Sequence, residues 1–527
     1  MTMRVLVSDN LSDVGVQIFQ ETPGIEVDVN TGLTHEELVG IIGQYDALVI
    51  RSATKVTEDV ISAADRLKVI GRAGIGLDNV DIEAASKRGI VVMNAPEGNT
   101  ITTAEHAIAM MLALSRNIPQ ATASLKEGKW EKKKLQGREL FNKTLGLVGA
   151  GHIGRIVADR AKGLKMKVMV YDPYIKPETI EKLDLEPVDF DELLRRADYV
   201  TIHTPKTEET TNMFNRESFA KMKKGAMLIN CARGGIVNED DLYEALASGH
   251  LGGAALDVFS KEPPGRLKLM ELDNFICTPH LGASTKEAQD NVAKIIAGQV
   301  VDYLLHGTVK NAVNVPSISA ELLTTLRPFV TLVERMGALQ AQLAEGAITE
   351  VRIDYSGAVT DYDVEPLTTA MLKGLLTPIK DGVNFVNAPF IAAERGIKVV
   401  ESTSSTSEDF STLIRLVVKT IEGENVVSGT IFGKKFPRIL RINNFYLEAV
   451  PEGHNLLIHN EDRPGVIGMI GSTLGKHGVN IARMQVGQER EKGQNVIFLA
   501  TSSPAGDEAI KDLMSLEQVY SVKRIEL

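Results

Sequence analysis

Three residues that lie far apart in the sequence, Arg233, Glu262 and His280, are of the types needed to oxidise an alcohol that sits beside a carboxylate. Arg233 ends the run AMLINCAR (226–233), and Gly234 and Gly235 follow it. A guanidinium offers a carboxylate a rigid two-pronged fork, and its charge polarises a carbonyl oxygen. His280, just after Pro279, can take the hydroxyl proton as a hydride leaves the adjoining carbon. Glu262, just before Pro263, can hold that imidazole in one tautomer and stabilise the cation it becomes. Taken singly, each has an ordinary structural role as well: a surface arginine in a turn, a turn acid, a helix cap.

The hydride needs an acceptor, and GAGHIG provides a place for one. Gly149, Gly151 and Gly154 have G-x-G-x-x-G spacing between a strand-like run and a helix-like run. The first glycine permits a tight turn, the second lets a pyrophosphate approach the helix N-terminus, and the third lets helix pack close to strand. Asp172 ends the next strand-like run, eighteen residues after Gly154. Its carboxylate can accept from a ribose diol and would repel a 2′-phosphate, which favours NAD over NADP. A second glycine-rich run, GRAGIGLDN (71–79), has Asn79 where the third glycine belongs and is not read as a dinucleotide site.

These residues need a scaffold. Short Val- and Ile-rich runs alternate with helical stretches over the first hundred residues: RVLVSD, IEVDVN, ALVIRS, LKVIGRAG and IVVMNAP. This is the rhythm of a mainly parallel α/β sheet. A second such unit begins at KTLGLVGAG (143–151) and continues through KVMVYD, YVTIHTP, AMLINCA, GAALDVF and NFICTPH. His203, Thr204, Pro205, Cys231, Ala232, Arg233, Asp257, Glu262 and His280 all fall at or just beyond the carboxyl ends of its strands. Ligands bind at that edge of an open parallel sheet. Two long helical runs, 102–117 and 284–307, flank the unit. The second has no strand after it, so it is expected to return to the first unit, with the second unit inserted and linkers near residues 98 and 283. Residues 320–450 read as a helix followed by strand-like pieces, and the final block reads strand, helix, strand, hairpin, strand, helix, strand.

Composition sets outer bounds. The chain has 527 residues, 43% hydrophobic and 24% charged, with a net charge of −11, which argues against a nucleic-acid partner. Arg4 and Asp9 come too early for a secretory signal, and no apolar run approaches the roughly 18 residues of a membrane span. Cys231 and Cys277 form no metal spacing and no disulfide framework, and they fit a reducing cytoplasm. No metal site is expected.

The segments GLVGAGHIGR, YDPY, HTP, NCARGGIV, ALDVFSKEP and TPHLGAST strongly resemble the D-isomer-specific 2-hydroxyacid dehydrogenases, over about residues 1–315. The loops RSATKVT, GRAGIGLDNVD and APEGNT resemble those of the long-form D-3-phosphoglycerate dehydrogenases. The resemblance implies a catalytic set of Arg233, Glu262 and His280, with NAD as cofactor. It puts cofactor contacts on Gly149, Gly151, His152, Ile153, Gly154, Asp172, His203, Thr204, Pro205, Cys231, Ala232, Arg233, Asp257, His280, Gly282 and Ala283. Substrate contacts fall on Arg51, Ser52, Arg72, Gly74, Ile75, Asn99, Arg233 and His280. Lys132, Lys133 and Lys134, after Trp130, are implied near a dimer interface and the substrate phosphate, or are simply a solvated charge run.

Residues 453–527, with NEDRPGVIG and GVNIARMQVG, resemble an ACT regulatory domain. There, L-serine as effector is implied to meet Asn460, Asp462 and Asn480, between subunits. The implied fold is two doubly wound, Rossmann-like or flavodoxin-like parallel-sheet domains, one inserted in the other, then an α+β intervening domain and a ferredoxin-like ACT domain. The implied boundaries are 1–97 with 284–315 (substrate-binding), 98–283 (NAD-binding), 316–452 (intervening) and 453–527 (ACT). The implied reaction is oxidation of 3-phosphoglycerate by a homo-oligomer, dimeric through its NAD-binding domains and tetrameric overall, with no membrane or nucleic-acid partner. Two other readings stand beside it: a dehydrogenase for another D-2-hydroxyacid, such as 2-hydroxyglutarate or glycerate, and a non-enzymatic NADH-sensing scaffold.

Overall fold

The computed structural model describes residues 2–315, 320–407, 410–433, 435–489 and 494–527. The expected boundary between residues 315 and 316 abuts 316–319, which lie outside the described residues.

Strands β1 (Met3–Val7), β2 (Ile25–Val29), β3 (Ala47–Ile50), β4 (Val69–Arg72) and β5 (Val91–Met93) form a parallel sheet in the order β2-β1-β3-β4-β5. Side chains alternate across it, as a period of two requires. Val5, Val7, Val49 and Val69 face one core, and Leu6, Leu48, Ile50 and Ile70 face another. Both faces are covered, which is why these strands read as continuous apolar runs.

A second parallel sheet holds β6 (Thr144–Val148), β7 (Lys167–Tyr171), β8 (Glu186–Pro187), β9 (Tyr199–Ile202), β10 (Met227–Asn230), β11 (Gly253–Leu256) and β12 (Phe275–Cys277). Its order is β12-β11-β10-β9-β6-β7-β8, so the winding reverses between β6 and β9. That switch point opens a crevice at the carboxyl ends of the strands.

Two helices tie the sheets together. Helix α1 (Thr100–Ser115) buries Ala104, Ala107, Met111 and Leu114 in the core of the second sheet. After helix α2 (His152–Gly163) and β12, helix α3 (Lys286–His306) runs back and packs Val292, Ile296 and Val300 into the core of the first sheet. This is the return that a long helix with no following strand predicts.

The remaining strands are β13 (Ile348–Gly357), β14 (Lys398–Ser404), β15 (Thr412–Thr420), β16 (Glu424–Phe432), β17 (Phe436–Ile442), β18 (Phe445–Ala449), β19 (His454–Glu461), β20 (Ile481–Glu489), β21 (Gln494–Thr501) and β22 (Val519–Glu526). They form a single sheet, β14-β13-β15-β16-β17-β18-β20-β21-β19-β22. The last four strands, with helices α4 (Val466–Lys476) and α5 (Asp507–Met514), have the β-α-β-β-α-β order of a ferredoxin-like unit. The sequence treats this unit as separate from the one before it. Among the described residues the structure joins the two through the pair Tyr446 with Gln488. It also joins them through a shared core, in which Leu457, Val496, Phe498 and Ile525 pack with Leu332, Met336 and Leu339 of the long helix Ala320–Leu343. Alternation in HNLLIHNE shows that both faces of β19 are apolar but not what covers the second face.

The intervening unit also touches the first sheet's unit: Asn384 donates to the Gly89 carbonyl at 2.8 Å, and Val386 enters the core beside α3. Among the described residues no helix is long and apolar enough to cross a membrane.

Candidate active site

The dinucleotide turn has the features its spacing predicts. Gly149 has φ +93°, and a Cβ there would meet the His203 carbonyl oxygen at 2.7 Å. A Cβ on Gly154 would collide with the Gly149 carbonyl oxygen, so the close seat of α2 on β6 requires glycine. Gly151 is the N-cap of α2 and makes no side-chain cap. The helix's first N–H groups are thus free for an anion, and nothing lies within 4 Å of where a Gly151 Cβ would stand. His152 and Ile153 form the first turn. Asp172, just past β7, accepts from Ala150 N at 2.8 Å and Tyr174 N at 3.0 Å. It therefore braces the turn while keeping acceptor capacity for a diol. These residues fit a dinucleotide.

His280 and Glu262 are brought together. His280 Nδ1 lies 2.7 Å from Glu262 Oε2, and Glu262 Oε1 accepts from Phe259 N at 3.0 Å. The carboxylate is thereby fixed from behind, and it fixes the imidazole, leaving Nε2 as the ring nitrogen available to a substrate. Both side chains are exposed to the cleft. Arg233 is braced in part by a residue the sequence reading did not single out. Asn230, buried at the end of β10, donates to the Arg233 carbonyl at 3.0 Å and accepts from Ala232 N at 3.0 Å. Arg233 Nη1 donates to the Ala232 carbonyl at 2.7 Å.

Asp257 behaves differently from expectation. Its side chain is fully enclosed. Its carboxylate accepts from Leu281 N at 2.7 Å, Gly282 N at 2.8 Å and Thr278 Oγ1 at 2.5 Å, with His106 Nε2 3.3 Å away. It clamps the turn that presents His280, whose own φ is +54°. These bonds hold Asp257 below the usual carboxylate range despite its burial. His106 and Thr278 were not legible, because nothing local in the sequence sets α1 against the end of β12.

Cys231 is buried, and burial pushes its thiol up, so it is no nucleophile. Burial pushes His203 down to about 3, so the ring is neutral; its Nε2 lies 2.8 Å from Thr201 Oγ1. Thr204 follows it, and Pro205 accepts from Thr210 Oγ1 at 2.8 Å. Ala283 is half-buried behind Gly282.

Cations of the first unit face this edge. Arg72 ends β4, and burial, with the charges of Arg233 and Arg51, pushes it down to about 10. Arg51 follows β3; its backbone N donates to Asp9 at 2.6 Å, and its side chain donates to the Asn10 carbonyl at 3.0 Å. Asp9 also accepts from Thr54 N and Oγ1, an anchor that sequence reasoning missed. Ser52 is exposed, Gly74 has φ +158°, and the Ile75 carbonyl accepts from Asn94 at 2.7 Å. Buried polar atoms without a hydrogen-bond partner among the described residues include Arg72 Nε, Asn99 Oδ1 and Thr204 Oγ1. All three belong to residues expected to face a ligand, and an orphaned buried polar atom is costly unless function needs it. Lys132, Lys133 and Lys134 are exposed, and Lys134 pairs with Glu131 at 2.9 Å. No group of three His, Cys, Asp or Glu able to hold a metal occurs among the described residues.

The three effector candidates are not brought together within one chain. Asp462 accepts from Asn495 at 2.9 Å, and Asn460 pairs with Asn495 across β19 and β21. Asn480 instead donates to Ser502 at 2.8 Å, beside the Ile481–Thr501 end of the sheet. Six residues of β21 separate these ends, about 20 Å.

Comparison with known proteins agrees with this architecture. The model of the D-isomer specific 2-hydroxyacid dehydrogenase NAD-binding domain matches residues 108–282. The D-3-phosphoglycerate dehydrogenase intervening domain matches residues 325–443, and the ACT domain matches 454–518. A D-3-phosphoglycerate dehydrogenase of Archaeoglobus fulgidus is 44% identical over 529 residues, covering 100% of both chains. One of Synechocystis is 44% identical over 525 residues, 99% of this chain and 94% of that one. Among solved structures, an NAD+-bound 3-phosphoglycerate dehydrogenase of Entamoeba histolytica superposes with TM-score 0.52 at 32% identity, over 60% of this chain and 99% of that one. The TT0316 protein of Thermus thermophilus gives TM-score 0.55 at 37% identity, over 59% of this chain and 100% of that one. With these matches and an NAD-binding unit whose turn fits its cofactor, the chain belongs to the D-isomer-specific 2-hydroxyacid dehydrogenases and, within them, to the D-3-phosphoglycerate dehydrogenase family.

Proposed function

We propose that this chain oxidises D-3-phosphoglycerate to 3-phosphohydroxypyruvate with NAD, the first step of phosphorylated L-serine biosynthesis. The observation that carries the substrate is the convergence of Arg51, Arg72 and Arg233, with Arg72 buried among like charges and its Nε unpartnered. Such a cluster calls for a polyanion, and a carboxylate and a phosphate on one small molecule answer it. Arg233 grips the carboxylate and stabilises charge growing on the C2 oxygen. His280 takes the C2 hydroxyl proton at Nε2, and Glu262 keeps Nδ1 protonated and stabilises the resulting cation. NAD, when bound, accepts the C2 hydride. Gly149, Gly151, Gly154 and Asp172 would hold it, with the neutral His203 and Thr204 packed against the Gly149 turn.

The reading extends to regulation and assembly. The ACT unit takes L-serine at Asn460, Asp462 and Asn480, and the separation within one chain makes a second copy the source of the missing side. The enzyme is then a homo-oligomer, dimeric through its NAD-binding units and tetrameric overall, in the cytoplasm, where the free Cys231 and Cys277 stay reduced. Its domains are 1–97 with 284–315, 98–283, 316–452 and 453–527.

A substrate panel tests the core of this reading. kcat/KM for D-3-phosphoglycerate is expected to exceed that for D-glycerate by about 10³-fold or more, because buried cations are left unpaired when the phosphate is missing. NAD is expected to outperform NADP. Equal rates with glycerate or 2-hydroxyglutarate would remove phosphoglycerate as the substrate.

A further inference from the structure

The guanidinium of Arg233 has a partner that the reaction does not use. Asp78 lies in the loop after β4, on the first unit, and its Oδ2 sits 3.2 Å from Arg233 Nε on the second. The contact crosses the cleft between the two parallel sheets. Its geometry is specific. The Asp78 side chain folds back over Gly76, where an added Cβ would stand 2.8 Å from Oδ2 and would collide with Arg233 Nη2. A side chain at residue 76 would therefore displace both partners. The spacing motif GIGLD gives this loop its glycine for a close approach, not for a dinucleotide.

The neighbouring charges single Asp78 out. Arg72, Arg233 and Arg51 repel one another, and Asp78 and Asp9 are the acids set against them. Asp9 is committed to Arg51 N, Thr54 N and Thr54 Oγ1 and is buried. Asp78 is exposed and faces the two arginines at the cleft. The Asp78 carboxylate forms an ion pair with the Arg233 guanidinium at Nε, and Nη1 donates to the Ala232 carbonyl. Nη2 makes no hydrogen bond among the described residues and is left to grip a carboxylate.

We propose that Asp78 is a positioning residue for Arg233: from the opposite wall of the cleft its carboxylate holds the guanidinium by charge so that Nη2 is presented to the substrate carboxylate. It touches neither substrate nor cofactor, and it acts only while the two walls are at their working separation. The proposal rests on Arg233 being the carboxylate ligand of the proposed reaction.

The test compares Asp78→Ala and Asp78→Glu, each assayed on the 2-hydroxyacid that the unaltered enzyme oxidises fastest. A lost phosphate preference would then sink the substrate reading and leave this comparison intact. Asp78→Ala is expected to raise the KM for that substrate about tenfold and to lower kcat, because a misaligned fork binds ground and transition state less well. KM for NAD and Tm stay unchanged, as the site is exposed and outside the dinucleotide turn. Asp78→Glu, which keeps the carboxylate charge facing the guanidinium, recovers most of kcat. In an Arg233→Lys background, which has no guanidinium fork to orient, Asp78→Ala adds no further loss. Unchanged kinetics in Asp78→Ala, an equal defect in Asp78→Glu, or a full additional loss in the Arg233→Lys background would each overturn the assignment.

Discussion

His280 and Glu262 meet at 2.7 Å although neither has a local signal stronger than a neighbouring proline. Their pairing makes one substitution informative. Glu262→Gln keeps the shape but removes the charge that stabilises the imidazolium and offers an amide that can misset the tautomer. kcat is expected to fall about 10²-fold with KM for NAD unchanged, measured by steady-state kinetics with NAD saturating. His203 gives a second prediction at this scale, about stability. Its ring is held neutral to about pH 3, whereas in the unfolded chain it protonates near 6.5. Below that pH the unfolded state binds a proton that the folded state refuses, so stability falls as pH drops from about 6.5 to 3. The slope is at most about 1.4 kcal/mol per pH unit from this group. His203→Gln should remove about 2 kcal/mol of the fall in unfolding free energy between pH 7 and pH 5. A parallel decline in both proteins would show that His203 is charged in the fold.

The turn between β6 and α2 was legible because its three glycines answer a local geometric demand that a strand and a helix impose on each other. That demand is testable as an element property. Gly154→Ala puts a methyl group against the Gly149 carbonyl. It should lift α2 off β6, lowering stability by about 1–3 kcal/mol in a denaturant titration and weakening NAD in the same variant. A stable variant with weak NAD binding would mean that the turn shapes the site without carrying the packing. The elements that were illegible share a different cause. Asp257 reads as a cleft acid because it ends a strand, and that placement is right. Its enclosure follows from α1, whose His106 arrives from more than a hundred residues upstream beside Thr278. The Asn230 brace and the Asp9 anchor likewise depend on loops folding back, and sequence spacing along one strand does not encode where a loop returns.

At the scale of the whole molecule the sequence divides the C-terminal half into two units, and the structure gives them one sheet and a shared core, beside a second core within the ACT unit alone. Leu457, Val496, Phe498 and Ile525 leave water only when both units are present. Each such side chain contributes about 1.5–3 kcal/mol on burial, so their loss is comparable to a domain's net stability. Gln342 adds two bonds across the seam, donating to the Glu526 carbonyl at 3.0 Å and accepting from Glu526 N at 2.9 Å. A chain ended at residue 452 should therefore melt lower and bind a hydrophobic dye, and its insensitivity to serine would not locate an effector site. Point substitutions at the exposed Asp462 and Asn480 avoid that confusion. The two lie at opposite ends of the ACT sheet, so a site containing both takes Asp462 from one copy and Asn480 from its partner across a two-fold axis. Asp462→Ala and Asn480→Ala should each abolish serine inhibition in a homo-oligomer while leaving Tm unchanged. Co-assembled, the two variants rebuild one intact site for each one doubly damaged, so inhibition should return in mixed oligomers with reduced amplitude. Recovery in the mixture would place the effector between copies; persistent loss there, with each variant folded, would mean that no such shared site exists.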